Sequence, residues 1–102
     1  MKLHGYWRSS AAWRVRIALE WKGLDVEHLP VHLLRDGGRQ RAPGYRALNP
    51  QALVPTLVVG ERPLTQSLAI VEWLDEQCPQ PPQLPPGSRA RARARELALA
   101  IA

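Results

Sequence analysis

Two adjacent serines, Ser9 and Ser10, stand where a short strand-like segment gives way to a helical pattern. Arginines flank them at positions 8, 14 and 16, and no acidic residue follows until Glu20. A helix start usually recruits Asp or Glu, because its free N–H groups and its positive end favour negative charge. Hydroxyls and arginines without a carboxylate indicate a place for an anion brought by a ligand, for example a thiolate. The alternative is that one serine is an ordinary N-cap, and the motif alone does not separate the two.

Two further segments carry groups suited to an extended ligand. Val54 precedes Pro55 just before a predicted strand, and a cis proline there would turn the Val54 backbone outward to pair with a ligand. A trans proline that simply opens the strand is the alternative. Gln66 and Ser67 begin another helix, where an amide, a hydroxyl and free N–H groups can hold a carboxylate. Here the alternative is that Ser67 is a plain N-cap.

The remaining reactive side chains show no metal or redox pattern. His4, His28 and His32 share no ligand spacing with one another or with Cys78. Cys78 is the only cysteine, which excludes an internal disulfide, and it lacks a CxxC partner. We interpret the histidines as strand and surface residues, Cys78 as inert, and the metal content as none.

Charge and hydropathy exclude several classes of function. Residues 1–88 carry 10 Lys and Arg against 8 Asp and Glu, so most of the net charge of +5 lies in the four arginines and one glutamate of residues 89–102. A solvated helix surface is the favoured interpretation of those arginines, and an RNA- or membrane-binding arm is the alternative. There is no run of about 18 apolar residues and no apolar segment of a secretory signal. We therefore expect no membrane and no nucleic-acid partner, and a cytoplasmic location.

Hydrophobic periodicity predicts the order β-α-β-α-β-β-α. The pattern gives a strand at 2–7, a helix at 10–22 buried through Ala11, Val15, Ala18 and Leu19, and a strand at 26–33. Pro30 cannot donate a ladder hydrogen bond, so this second strand is expected at a sheet edge. Helical turns around Tyr45–Leu48, a hairpin over 56–64 and a helix at 67–77 complete the pattern. It predicts an α/β, thioredoxin-like fold with a mixed four-stranded sheet and helices on both faces.

The end of the chain is different in composition. Residues 79–87 are proline-rich and predict a semi-rigid linker. A final helix from Ser88 has an apolar stripe at Ala90, Ala94, Leu97 and Ile101 that still runs at Ala102. We therefore predict a thioredoxin-like domain at 1–78, a linker at 79–87, and at 88–102 the first helix of an all-helical domain that continues in a longer protein.

These segments together resemble the zeta class of glutathione transferases. The resemblance is carried by YWRSSAAWRVRIAL, KGLDVE, VHLLRDGG, YRALNPQALVPTL and LTQSLAIVEWLDE, which cover nearly all of residues 1–78. It implies a glutathione-binding thioredoxin-like domain, followed in relatives by an all-helical domain. One departure is that Ala11 and Ala12 stand where many members have Cys and Ser, so the thiol in that motif is dispensable or replaced.

The resemblance also implies roles for single residues. Ser9 matches the catalytic serine that hydrogen-bonds the glutathione sulfur, and Ser10 matches the second serine that assists it. Residues expected to hold the tripeptide are Gln40, the Val54–Pro55 backbone, Gln66 and Ser67. Gln66 and Ser67 would grip its γ-glutamyl carboxylate.

The activity implied is glutathione-dependent cis–trans isomerisation of a maleyl-type diacid, from maleylacetoacetate to fumarylacetoacetate in tyrosine breakdown, by a homodimer. Maleylpyruvate isomerisation and general glutathione conjugation are close alternatives. A non-catalytic thioredoxin-like module that binds a protein partner, and a nucleic-acid binder acting through the arginine-rich end, are alternatives from other classes. We expect the 102-residue chain alone to lack most of the pocket for the second substrate.

Overall fold

The structure, a computed structural model, describes residues 1–101. Its strands and helices follow the predicted order, with two short 3-10 turns at Arg35–Gly37 and Arg39–Arg41. Within residues 1–101 no helix has the length and apolar character needed to cross a membrane. The elements are β1 (Lys2–Gly5), α1 (Ser10–Trp21), β2 (Glu27–Pro30), α2 (Pro43–Leu48), β3 (Thr56–Val59), β4 (Arg62–Thr65), α3 (Ser67–Gln77) and α4 (Ser88–Ile101).

The four strands form one mixed sheet in the order β2-β1-β3-β4. β1 and β2 run parallel, as the intervening helix α1 requires, and β3 lies antiparallel to both β1 and β4. The predicted edge position of β2 is confirmed, and Pro30 is its last residue. The thioredoxin-like fold class predicted from the sequence is confirmed.

The core lies between the sheet and the helices α1 and α3. Its fully buried side chains come from β1, α1, β3 and α3: Leu3, Val15, Ala18, Leu19, Leu57, Ile70 and Leu74. The predicted buried face of α1 was wrong at one position, because Ala12 is buried whereas Ala11 is half-buried. A Cβ placed on Gly5 would lie 3.2 Å from the Ala12 Cβ, so the helix packs closely on β1 through that alanine.

A buried lysine joins the C-terminal ends of α1 and α3. The Lys22 side chain is fully buried, and its Nζ donates to Asp75 Oδ1 at 2.6 Å and to the carbonyls of Cys78 and Pro81 at 2.5 and 2.7 Å. An ammonium group has three hydrogens, and all three have acceptors here. The Asp75 carboxylate also accepts the Gln83 backbone N–H at 3.0 Å, so the same group anchors the proline-rich segment.

Helix α4 lies beside α3, and most of its predicted apolar stripe is exposed. Ala94 and Ala98 are half-buried, whereas Ala90 and Leu97 are exposed. Arg95 donates to Glu72 of α3 at 2.6 Å, so an ion pair joins the two helices. The division of the chain into domains at 78 and 88 stays a prediction.

Replacing Lys22 with Met should destabilise the fold strongly. The substitution leaves the Asp75 carboxylate without its counter-ion and the carbonyls of Cys78 and Pro81 without this donor. Removing one partner of a buried ion pair costs about 3–5 kcal/mol of unfolding free energy. Urea unfolding measures the difference. The control is Lys2→Met on the exposed first residue of β1, expected within about 0.5 kcal/mol of the original chain, and equal losses in both variants would contradict the role of Lys22.

The same ion pair predicts a loss of stability in acid. Burial by itself raises the pKa of Asp75, but the hydrogen bonds from Lys22 and the Gln83 N–H, with the charges of Lys22 and Arg91, outweigh it and lower the pKa below 3.8. The unfolded chain then takes up the proton at a higher pH than the folded chain. This stabilisation is complete above pH 3.8 and disappears as pH falls through the lowered pKa.

Unfolding in urea across the acid range should reveal this effect as a decline in stability that Asp75→Asn lacks. The exposed Asp25→Asn serves as the control and should keep the decline. A curve for Asp75→Asn that parallels the original chain would show that other carboxylates cause the acid sensitivity.

Candidate functional site

A cleft of about 650 Å³ lies where the N-terminal ends of α1 and α3 meet the 49–55 segment and the end of α4. Among the residues that the structure describes, no acidic side chain lines it, and Arg14 is its one cationic side chain. The cleft is therefore positive and rich in hydrogen-bond donors. The lining residues are Ser10, Ala11, Arg14, Asn49, Gln51, Leu53, Val54, Pro55, Gln66, Ser67, Leu68, Leu99 and Ile101.

Ser9 is the N-cap of α1, and Ser10 is its first helical residue. The Ser9 Oγ accepts the Ala12 backbone N–H at 3.1 Å. A hydroxyl has two lone pairs and one hydrogen, so capping uses an acceptor site and leaves the proton available for a ligand. Ser10 is exposed in the cleft, whereas Ser9 is half-buried beside it and is not one of the lining residues.

The start of α3 differs from an ordinary capped helix. Its N-cap is Gln66, which makes no capping bond from its side chain, so the interpretation of Ser67 as a plain N-cap is wrong. The Ser67 hydroxyl accepts instead from Arg14 Nη1 at 2.6 Å and is buried. The N–H groups of this helix start therefore lack a capping side chain and face a cleft that a cation also lines.

Gln66 holds a backbone conformation that favours glycine. Its φ is 70°, and its Nε2 donates to Gln51 Oε1 at 2.8 Å. A left-handed conformation of a residue with a Cβ costs about 1–3 kcal/mol and persists only where surrounding structure enforces it. Such positions concentrate at ligand sites, which is consistent with the place of Gln66 at the cleft.

Arg14 and Gln51 are residues of the cleft that the sequence reasoning did not assign. Arg14 lies four residues after Ser10, so the helix period places both on one side of α1. That spacing was a usable signal for Arg14. Its partner Ser67 is 53 residues away, and no local pattern joins the two.

A buried polar network holds the segment before β3. Tyr45 Oη donates to the Leu53 carbonyl, which also accepts Asn49 Nδ2 at 3.0 Å. Thr56 Oγ1 lies 2.8 Å from Tyr45 Oη and accepts Asn49 Nδ2 at 3.2 Å. Burial raises the pKa of Tyr45 above 10.0, against a lowering by Thr56 and Asn49, so the phenol keeps the proton it donates.

The network ends at the Val54–Pro55 bond, which is cis. The sequence left a trans bond open, and that alternative is wrong. Within residues 1–101 no backbone–backbone hydrogen bond involves Val54, which borders the cleft together with Pro55. Its N–H and C=O are available to an extended ligand.

Gln40 is not brought into the cleft. It lies in the 3-10 turn Arg39–Arg41, and its amide folds back on Gly38, where a Cβ would come within 2.7 Å of Oε1. Within the described residues that buried Oε1 has no hydrogen-bond partner. The role expected of Gln40 stays a prediction.

The histidines and Cys78 lie outside the cleft. His4 is in β1 and His28 in β2, while His32 Nδ1 accepts the backbone N–H groups of Leu34 and Arg35 at 3.2 and 3.0 Å. In the part of the chain that the structure describes, no three His, Cys, Asp or Glu residues are grouped to hold a metal ion.

The family model for the glutathione S-transferase N-terminal domain matches residues 3–82. The chain belongs to the glutathione S-transferase family. Maleylacetoacetate isomerase from Pseudomonas aeruginosa is 53% identical over 102 residues, which cover 99% of this chain and 48% of that relative. The chain thus spans about half the length of the curated relatives it matches.

Two solved structures resemble the chain closely. Maleyl pyruvate isomerase, a bacterial glutathione S-transferase of the zeta class in its holo form, superposes with a TM-score of 0.90 at 48% identity. Maleylacetoacetate isomerase from Methylobacterium extorquens AM1, with bound malonate and glutathione, gives a TM-score of 0.90 at 52% identity. Each comparison covers 96% of this glutathione S-transferase chain and 45% of the other chain.

Replacing Thr56 with Val should destabilise this glutathione S-transferase chain, although the two side chains have nearly the same shape. The change removes the Thr56 hydroxyl from both Tyr45 and Asn49, which then keep only the Leu53 carbonyl, and we expect a loss of about 1–3 kcal/mol. Thr65→Val in β4 is the matched control at a partly exposed strand position. Thermal and urea unfolding of both variants give the comparison, and a Thr56→Val chain as stable as the control would show that the network contributes little.

Proposed function

We propose that the cleft binds glutathione and that this chain is the glutathione-binding part of an isomerase for maleyl-type diacids. The observation that carries the proposal is the donor set of the cleft. Two helix N-termini, the Arg14 guanidinium and the Ser10 hydroxyl meet in a cleft that no acidic residue lines. Glutathione is an anionic tripeptide, and such a cleft favours its carboxylates and its thiolate.

Each residue has a distinct role in this proposal. The start of α3, with Gln66 and Ser67, would hold the γ-glutamyl carboxylate, because its N–H groups lack a capping side chain. Arg14 would orient the Ser67 hydroxyl and add positive charge. The Val54–Pro55 backbone would pair with the peptide backbone of the ligand. Gln40, on a turn outside the cleft, would reach the far end of the tripeptide only after its amide leaves Gly38.

The two serines would favour the reactive form of the sulfur. When bound, glutathione supplies a nucleophilic thiolate for cis–trans isomerisation by addition and elimination. The Ser9 hydroxyl, whose hydrogen is not used in capping, donates to that sulfur and lowers the thiol pKa. Ser10 at the same helix end assists as a second donor. The thiol that many members carry in this motif is absent, so the serines and the helix end must suffice.

Maleylacetoacetate is the proposed substrate, and maleylpyruvate is the second candidate. The chain resembles the maleyl pyruvate isomerase structure and a maleylacetoacetate isomerase structure with equal TM-scores. In this proposal the longer protein that contains the chain acts as a homodimer in the cytoplasm. It has neither nucleic acid nor a membrane as a partner. Ion pairs of Arg95 with Glu72 and of Arg93 with Glu96 support this choice against nucleic acid, since they occupy two of the four arginines of α4.

The 102-residue chain should bind glutathione weakly and show little isomerase activity by itself. Isothermal titration with glutathione measures binding, and Arg14→Met should reduce the affinity by about tenfold or more, the effect of losing a hydrogen bond from a charged group. Arg14→Lys should restore part of it, because the charge remains. Arg16→Met, on the exposed side of the same helix, is the matched control and should bind as the original chain does.

Two results would contradict the proposal, one from this titration and one from an isomerase assay. A chain that shows no glutathione binding would be a non-catalytic thioredoxin-like module. Full isomerase turnover by the 102-residue chain would show that the whole active site lies within it.

The role of Ser9 can be separated from its capping function. Ser9→Gly removes the hydroxyl but costs the helix only a few tenths of a kcal/mol, whereas Ser9→Ala loses the cap as well. In a chimera that joins residues 1–102 to the C-terminal half of the Pseudomonas aeruginosa relative, both variants should lower turnover far more than glutathione affinity. The reason is that the lost bond, worth roughly 1.5–3 kcal/mol, acts on the charged sulfur.

Thiolate absorbance of bound glutathione, followed against pH, checks this directly. The thiol pKa should rise in Ser9→Gly and in Ser9→Ala alike. If only Ser9→Ala is impaired, then Ser9 serves the helix and not the thiolate.

A further inference from the structure

His32, just after β2, holds together the segment of residues 33–41. Its Nδ1 accepts the backbone N–H groups of Leu34 and Arg35 at 3.2 and 3.0 Å. Its carbonyl accepts the Arg39 N–H at 2.8 Å. An imidazole nitrogen that accepts a hydrogen bond carries no hydrogen itself, so the ring hydrogen is on Nε2. One residue therefore restrains both the beginning and the end of this segment.

The backbone between these bonds needs such a restraint. Asp36, Gly37 and Gly38 follow one another with φ of 55°, 74° and 96°. A residue with a Cβ, such as Asp36, adopts such a conformation only where neighbouring structure enforces it. Within residues 1–101, the one other side-chain hydrogen bond of residues 33–39 joins Arg39 to Asp36 at 3.4 Å, and this exposed ion pair contributes little. His32 is therefore the main side chain that holds the turn.

The ring of His32 also contacts the turn that holds Ser9. It meets the Tyr6 ring edge-on, with the two ring centroids 5.0 Å apart. Tyr6 is buried, and its carbonyl accepts the Ser9 backbone N–H at 2.9 Å. His32 thus connects two segments of the proposed glutathione site, the turn with Ser9 and the segment with Gln40.

We propose that His32 is a positioning residue for glutathione, because its Nδ1 fixes the backbone that carries Gln40. This inference rests on the proposed function, in which Gln40 contacts the tripeptide. His32 does not line the cleft, so it acts through Gln40 and not on the ligand. With the backbone fixed, Gln40 has only to rotate its side chain to meet glutathione. Without the two bonds, binding must also order the segment, and that ordering lowers the affinity.

The accepting nitrogen carries this role, and the aromatic ring is secondary. Leu34 and Arg35 are two and three residues after His32, which is the spacing at which an Asn side-chain oxygen accepts backbone N–H groups in a turn. An asparagine at position 32 can therefore replace the acceptor, although it lacks the ring that contacts Tyr6. A phenylalanine keeps a ring and has no acceptor.

Three substitutions separate the acceptor from the ring. Isothermal titration of the 102-residue chain with glutathione should give an affinity about tenfold lower for His32→Phe and for His32→Ala, as expected from two lost hydrogen bonds. His32→Asn should stay within about threefold of the original chain, because an acceptor remains. The matched control is His28→Phe at an exposed position of β2, which should bind as the original chain does.

Amide hydrogen exchange of the free chain tests the restraint without glutathione. The N–H groups of Leu34 and Arg35 should exchange about tenfold faster in His32→Phe, because the segment opens more easily. Most of their protection should return in His32→Asn. The core amides of Leu57 and Ile70 should keep their rates in both variants, which separates a local effect from a loss of global stability.

The titration also separates this inference from the proposed function. If the original chain binds glutathione and His32→Phe binds it equally well, the positioning role is wrong and the proposed function stands. Equal losses in His32→Asn and His32→Phe would also overturn the positioning role, since the ring would then be responsible. An original chain that binds no glutathione would overturn the proposed function itself.

Kinetics in the chimera with the C-terminal half of the Pseudomonas aeruginosa relative give a further criterion. His32→Phe should raise the KM for glutathione by the factor found in the titration and change kcat at saturating glutathione by less than about twofold, because a positioning residue of the binding site affects binding and not the reaction step. A lower kcat with an unchanged KM would contradict the proposal.

Discussion

The side-by-side packing of α1 and α3 is the constraint on which the rest of this structure depends. The two helices run in the same direction. A residue of α1 joins them near one end, and the C-cap residue of α1 joins them near the other. Arg14 donates to Ser67 at the N-terminal end, and Lys22 donates to Asp75 at the C-terminal end, both at 2.6 Å. Between these bonds Val15 and Leu19 pack with Ile70 and Leu74 in the core.

This arrangement gives the two ends of the helix pair opposite chemistry. Two positive helix termini meet at the N-terminal end, where the described residues give the cleft donors and no carboxylate side chain. At the C-terminal end the charged groups find their partners within the chain. The Lys22 ammonium occupies the negative end of α3 through the Cys78 carbonyl and also holds the proline-rich segment at Pro81. The chain itself therefore pairs the charges at one end, whereas at the other end the described residues supply no negative side chain.

Much of the fold could be predicted from the sequence because its signals are local. The missing N–H of Pro30 placed β2 at the edge, and Gly60 at the hairpin turn separated β3 from β4. Helix α3 has the predicted bounds Ser67–Gln77. The positions of Ser9, Ser10 and Gln66 at helix starts were predicted in the same way, whereas the sequence left the cis or trans state of the Val54–Pro55 bond open. The predicted burial of Ala11 in place of Ala12 was wrong, because the rotation of α1 depends on the elements against which it packs.

The sequence by itself determined which segments form helices and strands, where proline and glycine end them, and which helix starts offer donors without an acid. Only the tertiary structure decided that Arg14 reaches Ser67, that Asn49 joins Tyr45 and Thr56 under the Val54–Pro55 segment, and that Gln40 folds away from the cleft. The physical reason is the distance over which the different interactions act. Secondary-structure propensity acts over a few residues, whereas the Arg14–Ser67 bond joins residues 53 positions apart and the network of Tyr45, Asn49 and Thr56 depends on how α2 packs against β3.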